Sequence, residues 1–274
     1  MPDLINLSNM ESVSVKSEYG FTRLNRYWQE PDGSMWDDIW DNTNTTEYWG
    51  EALKGNLMPE YRDLFLKYFQ SGDKVLEAGC GAGQVVIAMR EQGFDCHGLD
   101  FAKKIIQNLN NKFPDIPFDQ GDIRELPYST SSFDGYISLG VIEHFLTGQD
   151  LMLDEAARVV KPGGHIIISV PALNNFRKSK IKKGQYGSHI SKPFFESCIS
   201  HEELKFLLTQ ADFEPVDYKY LNPIMPFVQE TRMRYLYKLI EDTRFIRSLV
   251  DRLLKIALPN NYFGHMIMVV ARRK

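Results

Sequence analysis

A short apolar run that ends in three closely spaced glycines constrains the fold of this chain more than any other feature. Lys74-Val75-Leu76-Glu77 is followed by Ala78-Gly79-Cys80-Gly81-Ala82-Gly83, and an amphipathic stretch begins at Gln84. Glycines between a strand and a helix permit a tight turn and let the backbone approach a ligand closely. The sequence therefore predicts a strand, a ligand-binding turn and a helix in this order.

Strands and helices alternate after this turn. The pattern predicts further strands at 95–99, 116–120, 133–139, 165–170, 214–220 and 264–271, with helices at 84–92, 102–113, 151–160 and 201–210. Such alternation is typical of a parallel, doubly wound α/β sheet. Ligands of these sheets bind beyond the carboxyl ends of the strands.

Acidic residues stand at the ends of successive predicted strands. Glu77 lies inside the turn, and Gln84 occupies the position of the third glycine of a dinucleotide motif. A carboxylate there favours a sulfonium and ammonium ligand such as S-adenosylmethionine over a pyrophosphate. Asp100 could accept both hydroxyls of a ribose, which an NAD site also requires. Asp122 could accept the adenine amino group while Ile123 packs on the ring.

Together these motifs resemble the class I S-adenosylmethionine-dependent methyltransferases. The resemblance rests on Glu77 to Gly83, Asp100, Gly121-Asp122-Ile123, Phe133 to Ser138 and Arg158 to Gly164. The chain is similar to the small-molecule type of this family, which includes the ubiquinone-biosynthesis enzymes. The resemblance implies a Rossmann-like, doubly wound seven-stranded sheet whose last strand is antiparallel and inserted beside the fifth. It also implies S-adenosylmethionine as cofactor and S-adenosylhomocysteine as product.

The resemblance implies a cofactor site along the strand ends. We expect cofactor contacts from Trp49, Glu77, Gly79, Cys80, Gly81, Asp100, Phe101, Asp122, Ile123, Leu139 and Gly140. In relatives the segment after the fourth strand lines the methyl-transfer site, so Glu143 and His144 are candidate catalytic residues. His144 could take a proton from a substrate hydroxyl or amine, or the pair could only order the loop. The sequence offers no second cluster at metal-ligand spacing, and we predict no metal site.

The chain divides into four predicted segments. Residues 1–18 are polar and predict a mobile tail. Residues 19–70 hold all four tryptophans and predict a helical cap. The aromatic side chains of this cap could form its packed core, close over a ligand, or do both. Residues 71–221 with 264–274 form the methyltransferase domain. Residues 222–263 predict a helical lid inserted before the last strand.

Two segments carry clustered basic residues. Five of the seven residues at 177–183 are basic, which predicts a solvated loop or a loop that binds a carboxylate, a phosphate or a partner protein. In 222–263, apolar residues at helical spacing alternate with Arg and Lys. This insertion could be a lid over the substrate, a dimer face, or a peripheral membrane contact through 232–258.

Composition narrows the class of function. The net charge of −4 argues against a dedicated nucleic-acid binder. Three scattered cysteines favour a reducing, cytoplasmic compartment, and no apolar run is long enough to span a membrane. We expect methyl transfer to a hydroxyl, carboxylate or amine of a small, partly apolar metabolite, which could be anionic and is enclosed by cap and lid. The alternatives are an RNA or protein methyltransferase that docks through 177–183, a non-catalytic S-adenosylmethionine-binding subunit, and an NAD-dependent oxidoreductase, which Gln84 disfavours. Oligomeric state stays open.

Overall fold

A computed structural model describes residues 12–41, 43, 45–186, 192–240 and 243–274. Its strands are β1 (Ser12–Glu18), β2 (Phe21–Tyr27), β3 (Lys74–Ala78), β4 (Asp95–Asp100), β5 (Phe118–Gln120), β6 (Phe133–Leu139), β7 (Val160–Pro171), β8 (Phe194–Cys198), β9 (Phe213–Leu221) and β10 (Met266–Arg273). Its helices are α1 (Gly33–Asp41), α2 (Thr45–Ala52), α3 (Pro59–Tyr68), α4 (Gln84–Glu91), α5 (Lys103–Lys112), α6 (Gln149–Val159), α7 (Asn175–Lys182), α8 (His201–Gln210), α9 (Ile224–Gln229), α10 (Met233–Leu239), α11 (Arg244–Ala257) and α12 (Asn260–Phe263). A 3₁₀ turn spans Ile142–His144.

Seven strands form the central sheet in the order β5-β4-β3-β6-β7-β10-β9. Neighbouring strands from β5 to β7 are parallel, whereas β10 runs antiparallel to both β7 and β9. The predicted Rossmann-like sheet with an antiparallel last strand beside the fifth is confirmed. Ile166, Ile167 and Ile168 of β7 are all buried, because helices cover both faces of a doubly wound sheet.

Helices pack against the sheet in two buried clusters. Ile87 of α4 and Leu109 of α5 belong to one cluster with Phe65 of α3. Leu153 of α6 and Leu204 of α8 belong to the other cluster. Gly79 after β3, Asp100 at the end of β4 and Leu139 at the end of β6 lie at the carboxyl ends of the parallel strands and line the cavity described below.

A second, three-stranded sheet in the order β1-β2-β8 corrects the predicted organisation of the N-terminus. The mobile tail at 1–18 is wrong for residues 12–18, which form β1, and residues 1–11 lie outside the described residues. The cap at 19–70 is not wholly helical, since it begins with β2. Tyr19 and Gly20, with φ of 50° and 80°, close a two-residue hairpin turn between the strands. Such turns require positive φ at both positions.

The insertion at 222–263 folds into the four helices α9 to α12. Buried Ile224, Val228 and Leu258 form a small separate core for this unit. In the described part of the chain, no helix has the length and apolar character needed to cross a bilayer.

Candidate cofactor and methyl-transfer site

The glycine turn between β3 and α4 forms one wall of the site. The amides of Gly79 and Cys80 both donate to the carbonyl oxygen of Leu99, at 2.7 and 3.0 Å, which ties the turn to the end of β4. Gly81 has a φ of +49°, and a Cβ atom there would lie 2.9 Å from Cε2 of Trp40. A side chain at Gly81 would therefore collide with the aromatic ring that lies against the turn.

A cavity of about 680 Å³ opens where the turn, the strand ends and the N-terminal segment meet. The predicted cofactor contacts that line it are Gly79, Gly81, Asp100, Phe101, Asp122, Ile123, Leu139 and Gly140, joined by the candidate catalytic His144. Glu77 and Cys80 instead line a small adjoining cavity of about 30 Å³ that shares Gly79, Gly81, Leu139 and Trp40 with the large one. The structure thus brings most of the predicted site to one place.

Glu77 is buried at the end of β3 with an exposed fraction of 4%. The backbone amide of Val86 donates to its carboxyl group. Its Oε2 atom has no hydrogen-bond partner among the described residues. Burial, together with the charge of Asp100, raises the pKa of Glu77 well above its ordinary value. An unsatisfied buried carboxyl oxygen favours a cationic ligand, and it fits the ammonium or sulfonium group of S-adenosylmethionine.

Asp100 is held in place by backbone donors at the end of β4. Its Oδ2 accepts from the amide of Gly81 and its Oδ1 accepts from the amide of Ala102, each at 2.9 Å. Burial raises the pKa of Asp100, while these hydrogen bonds oppose the shift. Each carboxylate oxygen keeps a further lone pair. The side chain is therefore fixed in position and can accept two ribose hydroxyls.

Asp122 makes a bidentate ion pair with Arg124. Nε and Nη2 of Arg124 donate to Oδ1 and Oδ2 at 3.0 and 2.5 Å, and the guanidinium lowers the pKa of the carboxyl. Arg124, which was not predicted from the sequence, also lines the cavity, and its Cζ atom lies 5.2 Å from the ring centroid of Phe145. Arg124 follows Asp122, a predicted cofactor contact, by two residues, and this proximity could have identified it as a site residue.

His144 sits between two aromatic rings in the cavity wall. Its Nδ1 is 2.9 Å from the carbonyl oxygen of Phe195, and its ring makes edge contacts with Trp36 and Phe195 at 5.0 and 4.7 Å. A carbonyl only accepts, so Nδ1 carries the hydrogen and Nε2 keeps its lone pair in the neutral ring. Burial lowers the pKa of His144, which favours this neutral form.

Glu143 is buried beside the cavity and does not line it. Its Oε2 lacks a partner among the described residues, and burial raises its pKa well above the ordinary value. Glu196 of β8 joins Glu143 and His144, so that one ligand atom from each lies within 4.8 Å of the others. These three groups could hold a metal ion, a ligand set that the sequence did not predict because Glu196 arrives from a distant strand. Arg26 donates to Glu196 at 2.6 Å and offsets part of this negative charge.

Trp49 does not line the cavity, although it was predicted to contact the cofactor. Its Nε1 donates to the carbonyl oxygen of Ala82 at 2.8 Å, and its ring packs in the buried core. Trp49 therefore supports the glycine turn from behind and lies outside the cavity lining. Trp36 and Trp40 of α1 line the cavity in its place.

The expected closure of the pocket is observed on one side. Residues from Glu30 to Trp40 and Pro193 with Phe194 form the outer wall, so the N-terminal segment does cover the strand ends. Among the described residues that line the cavity, none comes from 222–263. The predicted lid is therefore not found over this cavity, because the insertion packs on α7 and β9 instead.

The basic segment 177–183 is also not the predicted exposed loop. It lies in helix α7, where Arg177 is fully buried and donates to Glu230 at 2.8 Å. Lys180 and Tyr186 bind the same carboxyl group. Arg26 reaches it from β2 at 3.2 Å. Two of the cations expected to bind an outside anion thus compensate a carboxylate of the protein.

Solved structures with this architecture include methyltransferases and also the cyclase SpnF. An S-adenosylmethionine-dependent methyltransferase from Methanosarcina mazei superposes with a TM-score of 0.54 at 18% identity, covering 80% of this chain and 98% of that one. A TehB-like S-adenosylmethionine-dependent methyltransferase from Corynebacterium glutamicum gives a TM-score of 0.53 at 17% identity, covering 89% and 100%. At these identities the likeness establishes the fold.

Sequence comparison identifies the family. The model described as "Methyltransferase domain" matches residues 76–168. The demethylmenaquinone methyltransferase of Oceanobacillus iheyensis is 30% identical over 175 residues, 55% of this chain and 73% of that protein. A probable S-adenosylmethionine-dependent methyltransferase of Mycolicibacterium smegmatis is 30% identical over 54% of each chain. EEF1A lysine methyltransferase 4 of Bos taurus is 25% identical over 46% of this chain and 57% of its own length.

This chain belongs to the S-adenosylmethionine-dependent methyltransferases, and the family implies S-adenosylmethionine as its cofactor. The match spans only about half the length of several of these relatives.

Proposed function

We propose that this protein transfers a methyl group from S-adenosylmethionine to a hydroxyl, carboxylate or amine of a small, partly apolar metabolite. The observation that carries the proposal is the single cavity shared by the cofactor contacts and by aromatic side chains. Trp36, Phe145 and Phe194 form its apolar side, next to Asp100 and Asp122. A concave site of several hundred Å³ with a few convergent polar groups is typical of a small-molecule site.

Each residue has a defined part in this proposal. S-adenosylmethionine, when bound, supplies an electrophilic methyl group on a positively charged sulfur. Glu77 binds the cationic end of the cofactor, and Asp100 fixes its ribose. Nε2 of His144 would accept the proton of a hydroxyl or amine acceptor, whereas a carboxylate acceptor needs no base. The bond between the methyl carbon and the cofactor sulfur would break as the acceptor atom bonds to that carbon, leaving S-adenosylhomocysteine. Trp36 and Trp40 exclude water and hold the acceptor in line with the methyl group.

The side chains that line the cavity indicate which class of acceptor it suits. Arg124 is the one Lys or Arg side chain among its described lining residues, which suits an acceptor with at most one acidic group. The demethylmenaquinone methyltransferase relative supports a small apolar acceptor, whereas the EEF1A lysine methyltransferase relative supports a protein acceptor. Because Glu230 engages Arg177 and Lys180, the basic segment gives little support to docking of a nucleic acid or an acidic protein.

Cofactor choice is tested by thermal unfolding. A ligand that binds only the folded protein raises its midpoint, so S-adenosylmethionine should stabilise the protein and NAD should not. Asp100→Ala should abolish the shift, while Asp95→Ala, a matched change at the exposed start of the same strand, should retain it. A shift with NAD alone, or an unchanged shift in Asp100→Ala, contradicts the proposed cofactor site.

Acceptor class is tested by following the methyl group. The protein is incubated with methyl-labelled S-adenosylmethionine and a cell extract divided into a low-molecular-weight and a macromolecular fraction. Label should enter the low-molecular-weight fraction, and His144→Ala should lose transfer while its cofactor-induced thermal shift persists. Label in precipitated protein or RNA would favour the macromolecular alternative. Normal transfer by His144→Ala would limit His144 to ordering the loop.

A further inference from the structure

Helix α11 presents an apolar stripe to solvent that the proposed methyl transfer does not use. Ile246, Leu249, Leu253 and Ile256 have exposed fractions of 47, 50, 59 and 80%. Their spacing of three, four and three residues places them on one face of the helix. Such a row is more than scattered surface hydrophobicity, because adjacent members form a continuous strip.

The orientation of α11 is fixed by packing on its other side. Leu254 lies against the small core of Ile224, Val228 and Leu258. The stripe therefore faces away from the rest of the insertion. None of the four stripe residues lines the large cavity.

Positive charge borders the stripe. Helix α11 contains four basic residues and one acidic residue, in a chain whose net charge is −4. At 100° per residue, Arg252 projects about 80° from the centre of the apolar face, whereas Arg247 and Lys255 lie about 140° from it on opposite sides. These three cations are exposed. An apolar face combined with Lys and Arg on the rest of the helix surface is typical of a helix that lies in a membrane interface.

We propose that α11 docks this protein on the surface of an anionic lipid membrane. The stripe inserts among the lipid headgroups, Arg252 beside it contacts the lipid phosphates, and Arg247 and Lys255 add to the positive potential of the helix near the anionic surface. A second copy of the chain fits less well, because a two-fold interface through the stripe would bring the same cations of both copies together. The docking does not depend on the proposed methyl transfer, since it uses different residues.

The proposal is tested by sedimentation of the full chain with vesicles. The probes are vesicles of phosphatidylcholine alone and vesicles of phosphatidylcholine with about 30% phosphatidylglycerol, an anionic lipid. The protein should bind the anionic vesicles, with a large loss of binding on raising the salt from 0.1 to 0.5 M. Leu253→Glu with Ile256→Glu should weaken binding at least about tenfold, and Arg247→Gln with Arg252→Gln should do so by about the same factor.

A matched variant controls for the loss of exposed apolar area. Leu66→Glu with Leu151→Glu removes two exposed leucines from α3 and α6, and should bind vesicles like the wild type. The thermal shift with S-adenosylmethionine should be unchanged in all variants, which shows that they are folded and separates this proposal from the proposed function. Equal binding by the α11 and control variants overturns the proposal. So does a concentration-dependent dimer that Leu253→Glu with Ile256→Glu abolishes, because the stripe would then be a contact between copies.

Discussion

At the scale of single residues, the protonation state of Glu77 should control the binding of a cationic cofactor. Its buried carboxyl has a raised pKa and one oxygen without a partner among the described residues. A proton on this carboxyl competes with a cationic ligand. Binding of the cation lowers the pKa of Glu77 and expels the proton, so that affinity depends on pH.

The affinity for S-adenosylmethionine should therefore rise as the pH rises from 5 to 7. Linkage of one proton allows up to about a tenfold gain in affinity per pH unit, which isothermal titration calorimetry would measure. Glu77→Gln should weaken binding and flatten this dependence. Glu143→Gln, a change at another buried glutamate with a raised pKa that lies outside the large cavity, should leave the dependence in place. The same slope in Glu77→Gln would show that another group controls binding.

The residue types of the cofactor site follow from the sequence because each stands at the end of a locally encoded strand. Asp100 and Asp122 were placed by the strand pattern alone, and both line the cavity. Arg124 and Glu196 could not be found in this way. The role of Glu196 depends on Glu143 and His144, which lie some 50 residues away along the chain, whereas Arg124 had a local signal in Asp122, two residues before it.

At the scale of elements, one carboxylate joins three parts of the fold. Glu230, which follows α9, binds Arg26 of β2 and both Arg177 and Lys180 of α7. Burial opposes ionisation of Glu230, but Arg177 and Arg26 hold its pKa well below the usual range. A depressed carboxyl pKa stabilises the fold above the unfolded pKa of about 4.3, and this stabilisation is lost as the pH falls below it.

Glu230→Gln should lower the free energy of unfolding by about 3–5 kcal/mol, because it leaves buried guanidinium groups without a counter-charge. Urea denaturation at pH 7 measures the difference in free energy of unfolding between the wild type and Glu230→Gln. This difference should become smaller as the pH falls below about 4. Glu214→Gln provides a matched control, since its ion pair with Arg272 is exposed and should contribute less than about 1 kcal/mol. Equal losses in the two variants would contradict a structural role for Glu230.

The elements that the sequence left unassigned are those whose partners lie far away along the chain or whose own pattern is short. Strands β3 to β7 were predicted because their apolar runs and glycine boundaries are local signals. The hairpin β1–β2 was missed although its turn has the local signature of Gly20 after an alternating segment. Strand β8 pairs with β2 across some 170 residues, and a five-residue strand has too short a pattern to be recognised alone. The basic segment was misinterpreted because Glu230 lies about 50 residues away.

At the scale of the whole molecule, the cavity lies between the central sheet and the N-terminal segment, while the insertion is built on the far end of the sheet. Helix α1 contacts α5, and its tryptophans cover the strand ends. Helices α9 to α12 contact α7, β9 and one another. The fold thus separates a region that should respond to the cofactor from a region that should not.

Hydrogen exchange followed by mass spectrometry should reveal this separation. Ligand binding slows exchange where it suppresses local opening. S-adenosylhomocysteine should therefore protect the peptides that cover α1, the glycine turn and 139–145, whose residues line the cavity. Peptides from α10 and α11 should exchange at unchanged rates, and Asp100→Ala should remove the protection of α1 under the same conditions. Comparable protection of α11 in the wild type would mean that the insertion closes over the bound cofactor, as a lid does, in a conformation different from the one described.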